Sequence, residues 1–168
     1  MSAGSVENMM RRDVAVISSL SDVHELEKML LRDEIHGAPV VDGDGRLVGV
    51  VSQTDLVAWH YSTGVDGASF YDAREIALGS DASQKVRLTD IRTAKVEEVM
   101  SPVVHCILPD QSVELAAARM VSRKVHRLVV VDEEGHVLGI ISAMDLLRAL
   151  PGVDELIDSG KGRIADSG

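Results

Sequence analysis

Residues 6–60 lie over residues 96–150 at a constant offset of 90, with no gap. Val6-Glu7-x-x-Met10 falls on Val96-Glu97-x-x-Met100, His36 on His126, and Val40-Val41-Asp42 on Val130-Val131-Asp132. Gly45, Gly49, Ser52, Asp55 and Leu56 fall on Gly135, Gly139, Ser142, Asp145 and Leu146. Roughly a quarter of the aligned positions are identical, and many others exchange one aliphatic for another. A duplicated supersecondary unit of about 55 residues buries too little surface to stand alone, so two copies are expected to pack together. The chain therefore divides into a first repeat (1–60), a connecting segment (61–95), a second repeat (96–150) and a tail (151–168), with the repeats forming one module.

Each copy reads as β-α-β-β-α. The β-branched stretches at 14–17 and 103–108 suggest a short opening strand. Val23, Leu26 and Leu30 share one helical face, as do Val113, Ala116, Ala117 and Met120. Ser21 or Asp22, and Asp110 or Ser112, are available as N-caps. Two extended runs then flank Asp42-Gly43-Asp44-Gly45 in the first copy and Asp132-Glu133-Glu134-Gly135 in the second, which predicts hairpins. A closing helix is expected to begin near Ser52 and Ser142. The fold class is α+β, two such repeats around a pseudo-twofold axis.

Composition narrows the function. Aromatics supply only 2% of the 168 residues, so Val, Ile, Leu, Ala and seven Met must build the core. The net charge of −10 argues against nucleic acid as a partner. Cys106, the one cysteine, allows no internal disulfide and fits a reducing compartment. The acidic and polar opening does not resemble a signal peptide, and no apolar run approaches the ~20 residues that span a bilayer. The expectation is a cytoplasmic protein with no membrane partner.

The string Val125-His126-Arg127-Leu128-Val129-Val130-Val131-Asp132, followed by Gly139-Ile140-Ile141-Ser142-x-x-Asp145, resembles a cystathionine-β-synthase-type (CBS) repeat. It is especially similar to the repeats in the γ subunit of AMP-activated protein kinase. The opening Glu-x-x-Met and the closing run from Asp145 to Leu150 fit as well, and the likeness covers about two-thirds of the chain. The resemblance implies a Bateman module: a regulatory unit that binds adenosine derivatives between its two repeats and pairs again into a homodimer.

Gly49-Val50-Val51-Ser52-Gln53-Thr54-Asp55 and Gly139-Ile140-Ile141-Ser142-Ala143-Met144-Asp145 match that family's Gly-x-x-Ser/Thr-x-x-Asp ligand pattern. A carboxylate at a strand-to-helix junction can accept charge-assisted hydrogen bonds from the vicinal hydroxyls of a ribose. Asp55 and Asp145 are the expected ribose ligands, and Ser52 and Ser142 the expected donors to ribose or phosphate. The strand glycine lets a ligand approach the backbone, and free N–H groups at the helix start favour an anion. The same spacing also reads as a capping box with no ligand, and the two roles are compatible.

His126 and Arg127 match the pair that reaches phosphates in the kinase subunit; otherwise they are a repeat-interface histidine and a solvated surface charge. In the first copy His36 is followed by Gly37, so the guanidinium is missing; Arg11 or Arg12 is a possible substitute, and the two sites should differ in affinity. Val14 and Val104 are candidates to line an adenine slot, or simply core.

The expected ligand is AMP, ADP or ATP, the polyphosphates with a divalent ion such as Mg; S-adenosylmethionine remains open. The regulated protein is not named by the sequence. No catalytic motif and no paired metal ligands stand out, and Asp42-Gly43-Asp44-Gly45 lacks the spacing of a calcium loop. The leading reading is therefore a nucleotide sensor, against a ligand-free dimerisation scaffold. The aromatics Trp59, Tyr61, Phe70 and Tyr71 read as a satellite core pinning the connecting segment, or as a partner surface.

Overall fold

The computed structural model describes residues 4–62, 94–150 and 152–153. Phe70, Tyr71, most of the connecting segment and nearly all of the tail lie outside the described residues. The chain forms two compact units whose limits are out of step with the repeats. One is Ala15–Val104; the other joins Met1–Val14 to His105–Gly168.

The Ala15–Val104 unit contains β1 (Ile17–Ser18), α2 (Val23–Arg32), β2 (Gly37–Val41), β3 (Leu47–Ser52) and α3 (Gln53–Ser62), then a 3₁₀ turn at Val96–Glu98. Its sheet runs β1-β2-β3, parallel then antiparallel, with Ile17 opposite Val40 and Gly37 opposite Ser52. Val23, Leu26 and Leu30 bury the predicted helical face against Ile17, Val40, Val51 and Leu56. The core is closed by Ala94, Val96 and Val99, which belong to the second repeat. That segment is tied in by backbone bonds from Val96 N to Ser21 O and, in both directions, between Val50 and Ser101.

The other unit reverses the exchange. It holds α1 (Val6–Met9), β4 (Cys106–Ile107), α4 (Val113–Arg123), β5 (Arg127–Val131), β6 (Val137–Ser142) and α5 (Ala143–Arg148). Its sheet, β4-β5-β6, has the same register, with Arg127 opposite Ser142. Val6 and Met10 from the first repeat pack with Ile107, Ala116, Met120, Leu128, Val130 and Ile141. Arg11 and Ile140 exchange N–H···O bonds of 2.9 and 3.0 Å. Each unit is thus the body of one repeat plus the opening turn of the other.

Several expectations need adjustment. The opening strands are two residues each, at Ile17–Ser18 and Cys106–Ile107, because only those residues reach parallel pairing with β2 and β5. Val16 and Val103 are exposed, so β-branched composition marked extended backbone there and not a ladder. Of the four apolar positions on α4, Ala116 and Met120 are buried, whereas Val113 and Ala117 are half-buried. Ser112 caps α4 by accepting from Leu115 N, but the Asp22 side chain makes no cap bond and instead accepts from Lys95 Nζ at 2.7 Å. The aromatic cluster is split, since Trp59 packs on the Ala15–Val104 core while Tyr61 is exposed.

Both hairpins form as expected. Asp42 Oδ1 accepts from Asp44 N and Arg46 N at 2.9 Å, and Asp132 Oδ1 accepts from His136 N at 2.7 Å. Gly45 (φ 81°) and Gly135 (φ 92°) supply the left-handed residue each turn requires.

Candidate functional site

Ser52 ends β3 and Ser142 ends β6, so each motif sits where a strand passes straight into a helix. The Asp145 carboxylate is half-buried, and its Oδ2 accepts from Ser142 N at 2.8 Å and Ser142 Oγ at 2.5 Å. Asp145 N donates back to Ser142 Oγ at 3.2 Å, which completes a capping box. Asp55 and Ser52 repeat the arrangement at 2.8, 2.6 and 3.3 Å.

Two consequences follow from counting protons. A carboxylate only accepts, so each serine hydroxyl has given its one hydrogen to its own aspartate. Ser52 and Ser142 are therefore not free to donate to a ligand, contrary to expectation, and offer one a lone pair only. Each aspartate, however, uses a single oxygen in the cap. Among the described residues Oδ1 of Asp55 and of Asp145 has no hydrogen-bond partner. A half-buried acceptor held at a fixed angle is what a ribose diol needs.

The role of the motif glycine is also different from the sequence reading. A Cβ on Gly139 would lie 2.6 Å from Arg11 O and 3.0 Å from Met10 Sδ; one on Gly49 would lie 2.6 Å from Met100 Sδ and 2.9 Å from Ser101 O. The space that glycine leaves is filled by the chain's own opening segment and not by a ligand. Met10, Met100 and Ser101 were not singled out from sequence; the only signal was that each Met recurs at the same offset.

His126 and Arg127 lie in the same unit as Asp145. Arg127 faces Ser142 across β5 and β6, and His126 O accepts from Ala143 N at 2.9 Å at the start of α5. His36 O does the same for Gln53 N at 3.0 Å, in the unit of Asp55. The side chains of His36, His126 and Arg127 are exposed. Arg11 also belongs to the Asp145 unit, and Arg12 donates to Glu7 at 2.8 Å. Val14 and Val104 are half-buried and close the sequence limits of their units, Val14 in that of Asp145 and Val104 in that of Asp55. Cys106 is half-buried, its thiol pKa pushed up by that burial.

Asp132, Glu134 and His136 each place a ligand atom within 4.8 Å of the others, the one such trio among the described residues. Asp132 Oδ2 lies 3.1 Å from His136 Nδ1, and the turn's own hydrogen bonds account for both groups. The His136 backbone N–H, followed by its ring, holds the Asp132 carboxyl below the usual carboxylate range, with desolvation opposing. A depressed folded-state pKa gives stability that is present above the unfolded value and is lost as pH falls through the folded one. The Asp132 carboxyl resonance should accordingly titrate below that of an unfolded-chain Asp in an NMR pH series, and Asp132→Asn should flatten the acid limb of the stability curve.

Comparison with known proteins adds the following. Residues 6–61 and 96–152 each match the sequence model of the CBS domain. An uncharacterised protein of Methanocaldococcus jannaschii is 31% identical over 152 residues, covering 86% of this chain and 90% of that one. The gamma-3 subunit of human 5′-AMP-activated protein kinase is 29% identical over 149 residues, 86% of this chain but 27% of the subunit. The solved structure of CBSX2 in complex with AMP superposes with a TM-score of 0.65 at 25% identity, over 89% of this chain and 98% of that one.

Proposed function

The chain belongs to the CBS domain family, and from that premise we propose that it is a regulatory module that binds an adenine nucleotide and relays the event to a partner protein. One observation carries the reading: at each strand-to-helix junction a half-buried aspartate is fixed through Oδ2 and leaves Oδ1 open. Asp55 and Asp145 hold the ribose hydroxyls, and Ser52 and Ser142 orient those carboxylates. Arg127, with His126, takes the phosphate, and Val14 and Val104 line the base. AMP is the first ligand to test, because the relative CBSX2 has been solved with it. ADP, ATP with Mg, and S-adenosylmethionine follow. A ligand acts as a signal only if it binds two conformations with different affinity, so the relay requires a shape or dimer change coupled to occupancy.

The module acts as a cytoplasmic homodimer and is not an enzyme; no helix among the described residues is long and apolar enough to cross a membrane. The complete capping boxes favour a second reading, a ligand-free dimerisation scaffold. Thermal unfolding separates the two. A ligand at a hundred times its Kd stabilises the folded state by about 2.7 kcal/mol, a rise of several degrees in Tm. A rise with one adenosine ligand supports the sensor. An unchanged Tm with AMP, ADP, ATP and S-adenosylmethionine, each at millimolar concentration, supports the scaffold.

A further inference from the structure

The two aspartate-centred sites share a backbone but differ at two matched positions, and both differences concern positive charge. The first is the residue after the opening Met. Arg11 and Ser101 make the same antiparallel bridge, Arg11 with Ile140 on β6 and Ser101 with Val50 on β3. The second faces the capping serine, where Arg127 stands opposite Ser142 and Gly37 opposite Ser52. The end of β6 is therefore flanked by an arginine on either side, and the end of β3 by none.

Neither difference is compensated nearby. Among the described residues Arg11 and Arg127 are exposed and form no ion pair, whereas Arg12 is engaged with Glu7. Gly37 is more than a missing side chain. A Cβ there would lie 2.8 Å from Val51 O and 3.3 Å from Ser52 Cα, so the backbone has closed over the position that Arg127 occupies in the other unit. His36 and His126 are common to both sites and cannot distinguish them. Counting the aspartate and the two flanking positions, the Asp145 site carries two guanidinium groups against one carboxylate. The Asp55 site carries the carboxylate alone.

We infer that the two sites select different ligand classes: the Asp145 site a phosphorylated adenosine, and the Asp55 site an adenosine derivative without a phosphate. The inference rests on the adenine-nucleotide reading above. Arginine binds phosphate oxygens by charge-assisted, often bidentate hydrogen bonds, whereas a phosphate near an uncompensated carboxylate is repelled.

The test isolates each site with an Asp→Asn substitution, which keeps a side-chain oxygen for the cap but turns an N–H₂ toward the ligand. Asp55→Asn protein, with the Asp145 site intact, should bind AMP at least tenfold tighter than adenosine. That preference should vanish in Asp55→Asn/Arg11→Gln/Arg127→Gln, whose two added changes are at exposed, unpaired positions and leave the fold intact. Asp145→Asn protein should bind AMP no tighter than adenosine. A tenfold AMP preference in Asp145→Asn, or none in Asp55→Asn, overturns the inference while leaving nucleotide binding standing. Failure of the unsubstituted protein to bind either compound overturns the underlying reading, and the inference with it.

Discussion

Gly139→Val should destabilise the protein by about 3 kcal/mol, the upper end of what overpacking normally costs. Its first added carbon would sit 2.6 Å from Arg11 O, a backbone atom, and 3.0 Å from Met10 Sδ. The methionine has room to adjust only at the expense of the core it shares with Val6, Ala116 and Ile141. The carbonyl has less freedom, because Arg11 and Ile140 hold each other through both backbone bonds. The cheapest relief is for α1 to leave the unit, which exposes Val6 and Met10. Urea unfolding should show the loss, and amide exchange should rise selectively at Val6, Met10 and Arg11. Gly43→Ala is the control: nothing lies within 4 Å of its Cβ position, so its midpoint should move by less than ~0.5 kcal/mol. An unchanged midpoint for Gly139→Val would show that the opening segment is not seated against β6.

Asp145→Ala should have the largest effect on ligand binding, and two separable effects in all. It removes the acceptor that holds Ser142 N and Oγ, and loss of such a cap typically costs ~1 kcal/mol of stability. It also removes Oδ1, and losing two charge-assisted bonds to a diol predicts roughly a hundredfold or greater loss of affinity at that site. Asp145→Asn distinguishes the two, since its carbonyl oxygen still serves the cap while its N–H₂ cannot accept from a hydroxyl. Near-native unfolding with binding lost in Asp145→Asn would identify the carboxylate as a ligand. Binding retained in Asp145→Asn and stability lost in Asp145→Ala would leave only the cap.

The duplication was legible because Gly, Ser and Asp are fixed by backbone geometry that side-chain exchange cannot imitate. The turn at Asp42-Gly43-Asp44-Gly45 was legible for a similar reason: an Asx acceptor and a positive-φ glycine stand in the right order. The exchange of opening turns was not. Val6-Glu7-x-x-Met10 and Val96-Glu97-x-x-Met100 present the same apolar pair, so either suits either core, and periodicity over a four-residue helix is too brief to decide. The glycine at 139 announced a close approach without saying what approaches. The serine at 142 announced a hydroxyl without saying where its hydrogen goes, and that direction is set by a carboxylate three residues later. Gly37 looked like a lost arginine; the carbonyl of Val51 shows that the backbone itself has moved in.

Isothermal titration of the whole chain with AMP, run beside the Asp55→Asn/Asp145→Asn double variant, tests the central claim most directly. Saturable heat in the unsubstituted protein, absent in a double variant that unfolds at the native midpoint, is the predicted result. Undiminished heat in the double variant, or no heat in the unsubstituted protein, would contradict it.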